Sequence, residues 1–141
     1  RQALIDGLLD GTIDCIATDH APHGLEEKQQ SFLNAPFGIV GSETAFQLIY
    51  TNFVETGIFT LEQVIDWMAV KPAEIFGLNA GTLTIGAPAD IAVFDLATAA
   101  PIDAEAFESM AVNTPFTGWT AKGKTLMTFV DGALAWSEEA Q

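Results

Sequence analysis

A chain of 141 residues is long enough to bury one ordinary core and too short for an α/β barrel, which takes roughly 250 residues. Five basic residues against nineteen acidic ones leave a net charge of −14, which repels phosphate backbones and anionic lipid heads and so argues against nucleic-acid and membrane-surface roles. No apolar run approaches the ~18 residues of a spanning helix, the first residues carry no signal-peptide pattern, and the lone Cys15 has no internal disulfide partner, so a reducing, cytoplasmic setting is expected.

Taken in order, Ala3, Leu4, Leu8 and Leu9 recur at helical spacing and Gly11 is placed as a stop, which predicts a helix over residues 1–9. The apolar run Ile13, Cys15, Ile16, Ala17 then predicts a strand covered on both faces, as in a parallel sheet. Helix, short turn and buried strand make the αβ half of a βαβ repeat. Residues 19–41 read as a long loop punctuated by Pro22, Gly24, Pro36, Gly38 and Gly41, and loops of that length are usually functional.

Ser42 is the expected N-cap of an amphipathic helix carrying Ala45, Phe46, Leu48, Ile49, Phe53 and Val54 and ending near Gly57. Thr60 is the expected cap of a second helix, with Leu61, Val64, Ile65 and Met68 on one face. Pro72 opens a third through Phe76, closed by Gly77. The aromatic stripe Phe46, Phe53, Phe59, Trp67 and Phe76 reads as core. Beyond Gly77 the pattern turns to strands: Leu83 and Ile85, then residues 91–94, 126–130 and 133–136, the last two joined by the hairpin signal Asp131-Gly132.

The chemistry is concentrated where the first predicted strand ends. A carboxylate there, Asp19, can ligate a divalent metal and take a proton through its second oxygen; a turn or N-cap aspartate is the plain alternative. In α/β barrels this strand end carries the catalytic groups. His23 follows across Pro22, with an exposed loop histidine as its alternative. Gly38, lacking Cβ, lets a ligand approach the main chain, and a simple turn is the competing reading. His20 is expected to brace the loop by hydrogen bonding. Glu26, Glu27 and Lys28 read as a solvated face, and Glu43 and Thr44 as organising the return into the helix.

The string from Asp19 to His23, followed by Glu26-Glu27-Lys28, Phe32, Ala35-Pro36-Phe37-Gly38-Ile39 and Gly41-Ser42-Glu43-Thr44, resembles the strand-8 segment of the dihydroorotase family within the amidohydrolase superfamily. Gly81-Thr82-Leu83, Gly86-Ala87-Pro88-Ala89-Asp90, Asn113-Thr114-Pro115-Phe116 and Gly123-Lys124 resemble that family's C-terminal region in order and spacing. The likeness therefore covers nearly the whole chain.

The resemblance implies an α/β fold: residues 1–77 as the last helix, strand, loop and following helices of a TIM-type (β/α)8 barrel, and residues 78–141 as part of a small β-sandwich beside it. It implies zinc, two ions per complete site, with Asp19 both metal ligand and proton carrier, and His23, Phe37 and Gly38 as contacts to substrate. The reaction implied is the reversible cyclisation of N-carbamoyl-L-aspartate to L-dihydroorotate, in pyrimidine biosynthesis. The remaining metal ligands and the rest of the barrel would come from an N-terminal part not in this chain, which alone would be inactive. A homo-oligomer is compatible with all of this. Two alternatives stand beside it: a cyclic amidohydrolase of the dihydropyrimidinase or allantoinase type, and a non-catalytic dihydroorotase-like assembly subunit. His23 argues against the first, because a group recruited for a carboxylate has no use with an uncharged ring.

Overall fold

A computed structural model describes residues 1–140. Helix α1 spans Gln2–Leu9 and buries Ile5 and Gly7; Gly11, at φ 81°, takes the left-handed conformation that ends it. Ile13 closes back on the helix, its N–H donating to Gly7 O at 2.8 Å. The expected strand over residues 13–17 is absent: the segment is extended but belongs to no ladder, and Ile16 N–H to Trp67 O, at 3.0 Å, is its one bond to a later element. A two-faced parallel strand needs neighbours on both edges, and the described residues supply neither. Cys15 is accordingly half-buried rather than buried.

The loop that follows carries one helical turn, α2 (Leu25–Lys28). Helix α3 (Ala45–Ile49) continues as a π-turn through Tyr50–Val54, and α4 (Leu61–Ile65) continues as a π-turn through Asp66–Val70 into α5 (Lys71–Phe76). Thr60 caps α4 as expected, its hydroxyl accepting from Gln63 N–H while the Gln63 side chain accepts from Thr60 N–H. Pro72 lies in the first turn of α5, and Gly77, at φ 63°, terminates it.

Strands β1 (Ile91–Asp95), β4 (Lys124–Val130) and β5 (Ala133–Ser137) form a sheet with β4 in the middle; β2 (Ala100–Pro101) and β3 (Thr120–Ala121) form a short antiparallel pair. The hairpin between β4 and β5 is as expected. Asp131 and Gly132, at φ 48° and 79°, are the two left-handed residues of a type I′ turn, and Val130 pairs with Ala133. A bulge follows at Thr128/Phe129. The strand expected around Leu83 and Ile85 is absent, and both side chains are exposed, since alternation without a partner edge has nothing to pair with.

The chain divides into two units. One comprises Arg1–Ala17, Thr56–Phe94 and the chain from Thr125. Its core holds Ile5, Phe59, Val64, Trp67 and Ala73, with Phe59 and Trp67 edge to face at 4.9 Å. The other comprises Thr18–Glu55 and Asp95–Lys124 and buries Val40, Thr44, Ile102, Ala104 and Ala121. Phe59 and Trp67 are thus core as expected, but Phe46 and Phe53 are half-buried and Phe76, the last residue of α5, is 72% exposed. Among the described residues no helix is long and apolar enough to cross a membrane.

Candidate active-site loop

The candidate site residues Asp19, His23, Phe37 and Gly38 all fall in the second unit, which opens at Thr18. Asp19 has φ 48° and is, with Asp131, one of two non-glycine residues in the left-handed region among the described residues. Aspartate tolerates that conformation better than most, yet it stores strain of a kind that gathers at functional sites. Its side chain is exposed, and no described residue hydrogen-bonds or ion-pairs with its carboxylate.

His20, unlike Asp19, is engaged. Its Nδ1 accepts from Gly41 N–H at 3.1 Å and from Ser42 N–H at 3.3 Å. These N–H groups open the helical turn that leads into α3, where Thr44 and Ala45 donate to Gly41 O. The imidazole therefore does the work of an N-cap. Ser42, the expected cap, makes no such bond; the acceptor comes from 21 residues upstream. Gly41 is needed here because a Cβ would stand 3.0 Å from Thr18 O.

His23 and Gly38 are brought together. A Cβ on Gly38 would stand 2.5 Å from Ala21 Cβ and 3.6 Å from His23 Nε2, and the glycine sits at φ +107°. Ala21 N–H donates to Ile39 O at 2.9 Å, so the two ends of the loop run side by side. Glu27 Oε2 lies 3.8 Å from His23 Nδ1 and accepts from Gly24 N–H at 2.9 Å. No hydrogen bond or ion pair joins Asp19 to His23, Phe37 or Gly38 among the described residues.

Two residues hold this arrangement that were not expected to. Lys28, taken as part of a solvated face, is instead half-buried, and its ammonium donates to Pro36 O at 3.0 Å and Gly38 O at 3.1 Å. Its four-carbon stem lets the head reach across the loop to these carbonyls. Asn113 accepts from His23 N–H at 3.0 Å through Oδ1 and donates through Nδ2 to Ala21 O at 3.0 Å and Gly38 O at 3.2 Å. Gly38 O is thus taken twice, while the N–H groups of Phe37 and Gly38 are among the main-chain groups of the loop that have no partner among the described residues. Donors beside an imidazole suit an anionic oxygen. The Phe37 ring itself is 90% exposed.

Glu43 organises the loop's return, as expected: its carboxylate accepts from Glu108 N–H at 2.8 Å, from Ser109 N–H at 3.1 Å and from the Ser109 hydroxyl. For a metal, the chain offers little on its own. Among the described residues no three of His, Cys, Asp and Glu stand close enough to hold an ion. His20 Nδ1 is already an acceptor for two N–H groups. The exposed, unengaged carboxylate of Asp19 fits the part of one ligand in a site completed elsewhere.

The fold and this loop are those of an amidohydrolase: the chain belongs to the Amidohydrolase family, whose profile matches residues 1–135. Among curated relatives it is 99% identical over 141 residues to the dihydroorotase of Enterococcus faecalis, and 62% identical over 138 residues to that of Bacillus caldolyticus. These matches cover 100% and 98% of this chain but 33% and 32% of the relatives, so the chain spans about a third of their length. Among solved structures, the L-hydantoinase (dihydropyrimidinase) of Arthrobacter aurescens is similar with a TM-score of 0.86 and 33% identity, over 96% of this chain and 31% of that one.

Proposed function

We propose that this chain is the C-terminal part of a zinc-dependent dihydroorotase, which interconverts N-carbamoyl-L-aspartate and L-dihydroorotate. The observation that carries the reading is the 99% identity, over every residue of the chain, with a protein named dihydroorotase. Residues 1–77 are assigned to the closing portion of a (β/α)8 barrel and residues 78–141 to an accessory β-sandwich. The extended, unpaired segment 13–17 supports this, being a strand by composition that lacks only neighbours. A cytoplasmic enzyme, compatible with a homo-oligomer, is the setting proposed.

In this reading Asp19 is a metal ligand and the group that moves the proton. Zinc, when bound, polarises the substrate's amide carbonyl and makes water a better nucleophile. Asp19 takes the proton of the attacking water and hands it to the departing ring nitrogen. His23 and the N–H groups of Phe37 and Gly38 hold the substrate carboxylate, which fixes the ring in register with Asp19. The likeness to a hydantoinase favours a second reading, an enzyme for uncharged rings, in which the same donors would have no anion to meet.

The test uses the protein that carries this chain, loaded with zinc and offered L-dihydroorotate and dihydrouracil in parallel. Preferential turnover of L-dihydroorotate, lost on chelation and restored by zinc, is expected. Preference for dihydrouracil transfers the assignment to the second reading, and turnover that survives complete metal removal defeats the role given to Asp19.

A further inference from the structure

Three backbone groups of the proposed substrate-binding loop converge on one side chain far away in sequence. Asn113 lies 90 residues after His23 and 75 after Gly38, yet its amide meets the first through Oδ1 and the second through Nδ2, with Ala21 O as a third partner. Its own main chain joins in, Asn113 O accepting from Val40 N–H at 3.1 Å. A primary amide offers two donors and an acceptor at one planar terminus. Here both donors go to carbonyls and the acceptor to an N–H, so the amide has one allowed orientation, and turning it over would set like against like.

From this geometry we infer that Asn113 is the positioning residue of the substrate-binding loop: it fixes the distance between the Ala21–His23 segment and the return at Gly38, and so sets the site for the substrate carboxylate. The inference rests on the dihydroorotase reading for the identity of the substrate, and on the hydrogen bonds alone for the clasp. Lys28 secures Gly38 O and Pro36 O but touches neither Ala21 nor His23, so it cannot set that distance by itself. Asp19 has no bond to Asn113, which predicts that loosening the clasp spoils substrate binding and spares proton transfer.

The decisive variant is Asn113→Asp, which keeps shape and acceptor but sets a carboxylate oxygen against two carbonyls. In the zinc-loaded protein that carries this chain, KM for L-dihydroorotate should rise about tenfold while kcat stays within about threefold. Hydrogen exchange at the amides of Ala21 and His23 should quicken by about tenfold as well. Asn113→Ala gives the same readouts without the repulsion, should the aspartate variant not fold. Unchanged exchange overturns the inference. Faster exchange with an unmoved KM, where His23→Ala does raise KM, confines Asn113 to folding and also overturns it. Where His23→Ala itself leaves KM alone, the substrate assignment has failed, and the exchange rates, which need no substrate, decide the clasp.

Discussion

Gly38 rests on Ala21 so closely that a methyl on the glycine would overlap Ala21 Cβ at 2.5 Å, and its φ of +107° is one that a residue with a side chain rarely adopts. Two independent penalties therefore fall on Gly38→Ala. Strain and overlap together cost about 2 kcal/mol or more, and the loop escapes the cost by parting from Ala21. In the protein that carries this chain, Gly38→Ala should weaken binding of L-dihydroorotate, seen as a raised KM, while the urea midpoint falls only slightly because the loop yields before the core does. A variant with wild-type KM would show that the close packing of Gly38 on Ala21 has no part in the site.

A second expectation concerns His20, whose Nδ1 stands in for a helix cap. His20→Ala removes the acceptor for Gly41 N–H and Ser42 N–H and should cost about 1 kcal/mol, the usual price of a lost cap. His20→Asn offers a side-chain oxygen to the same groups and should recover part of the loss. Thermal melts of the two variants decide it, and equal losses would mean that the ring acts by filling space.

Asp19 and His23 should separate kinetically. The carboxylate of Asp19 is exposed and unengaged, so Asp19→Asn disturbs no bond of the fold, whereas it removes the proton carrier of the proposed reaction. A fall in kcat of about 10²–10⁴ is expected, with little change in the urea midpoint. His23→Ala should act chiefly on KM. Equal, mild effects from both would remove the roles proposed for them. Since no three candidate ligands stand together among the described residues, the 141-residue chain by itself should show negligible turnover, and robust zinc-dependent activity from it would contradict the shared-site reading.

What could be read from the sequence was what is decided locally. The Thr60 cap of α4, the Pro72 and Gly77 ends of α5 and the Asp131–Gly132 turn each depend on residues within a few positions of one another, and each is found. What was misread depends on distant partners. Residues 13–17 have the composition of a buried strand but no neighbouring strand among the described residues. The cap of the α3 turn arrives from His20 rather than from the adjacent Ser42, and Lys28, in the run Glu26-Glu27-Lys28, turns inward to carbonyls eight and ten residues on. Asn113 had no local signal beyond its place in Asn113-Thr114-Pro115-Phe116. Its role exists only once the loop is folded over it.

The last prediction is a pH effect with a definite sign. Asp95, at the end of β1, has its pKa held below the ordinary aspartate range, first by the Thr98 side chain and then by the N–H groups of Ala97 and Thr98, which donate to Oδ1 at 2.8 and 3.1 Å. Those bonds favour the ionised form in the folded state and are absent in the unfolded one. A carboxyl whose folded pKa is depressed lends stability that is fully present above its unfolded pKa and is lost as the pH falls through the folded one. Asp95→Asn removes the titration while keeping an oxygen that can accept. The urea midpoint of the wild-type protein should therefore exceed that of Asp95→Asn near pH 7, and the gap should close as the pH is lowered below about 4. A gap that stays constant between those conditions would mean that the turn after β1 holds equally well with Asp95 protonated, and that the charge on this carboxylate contributes nothing to the fold.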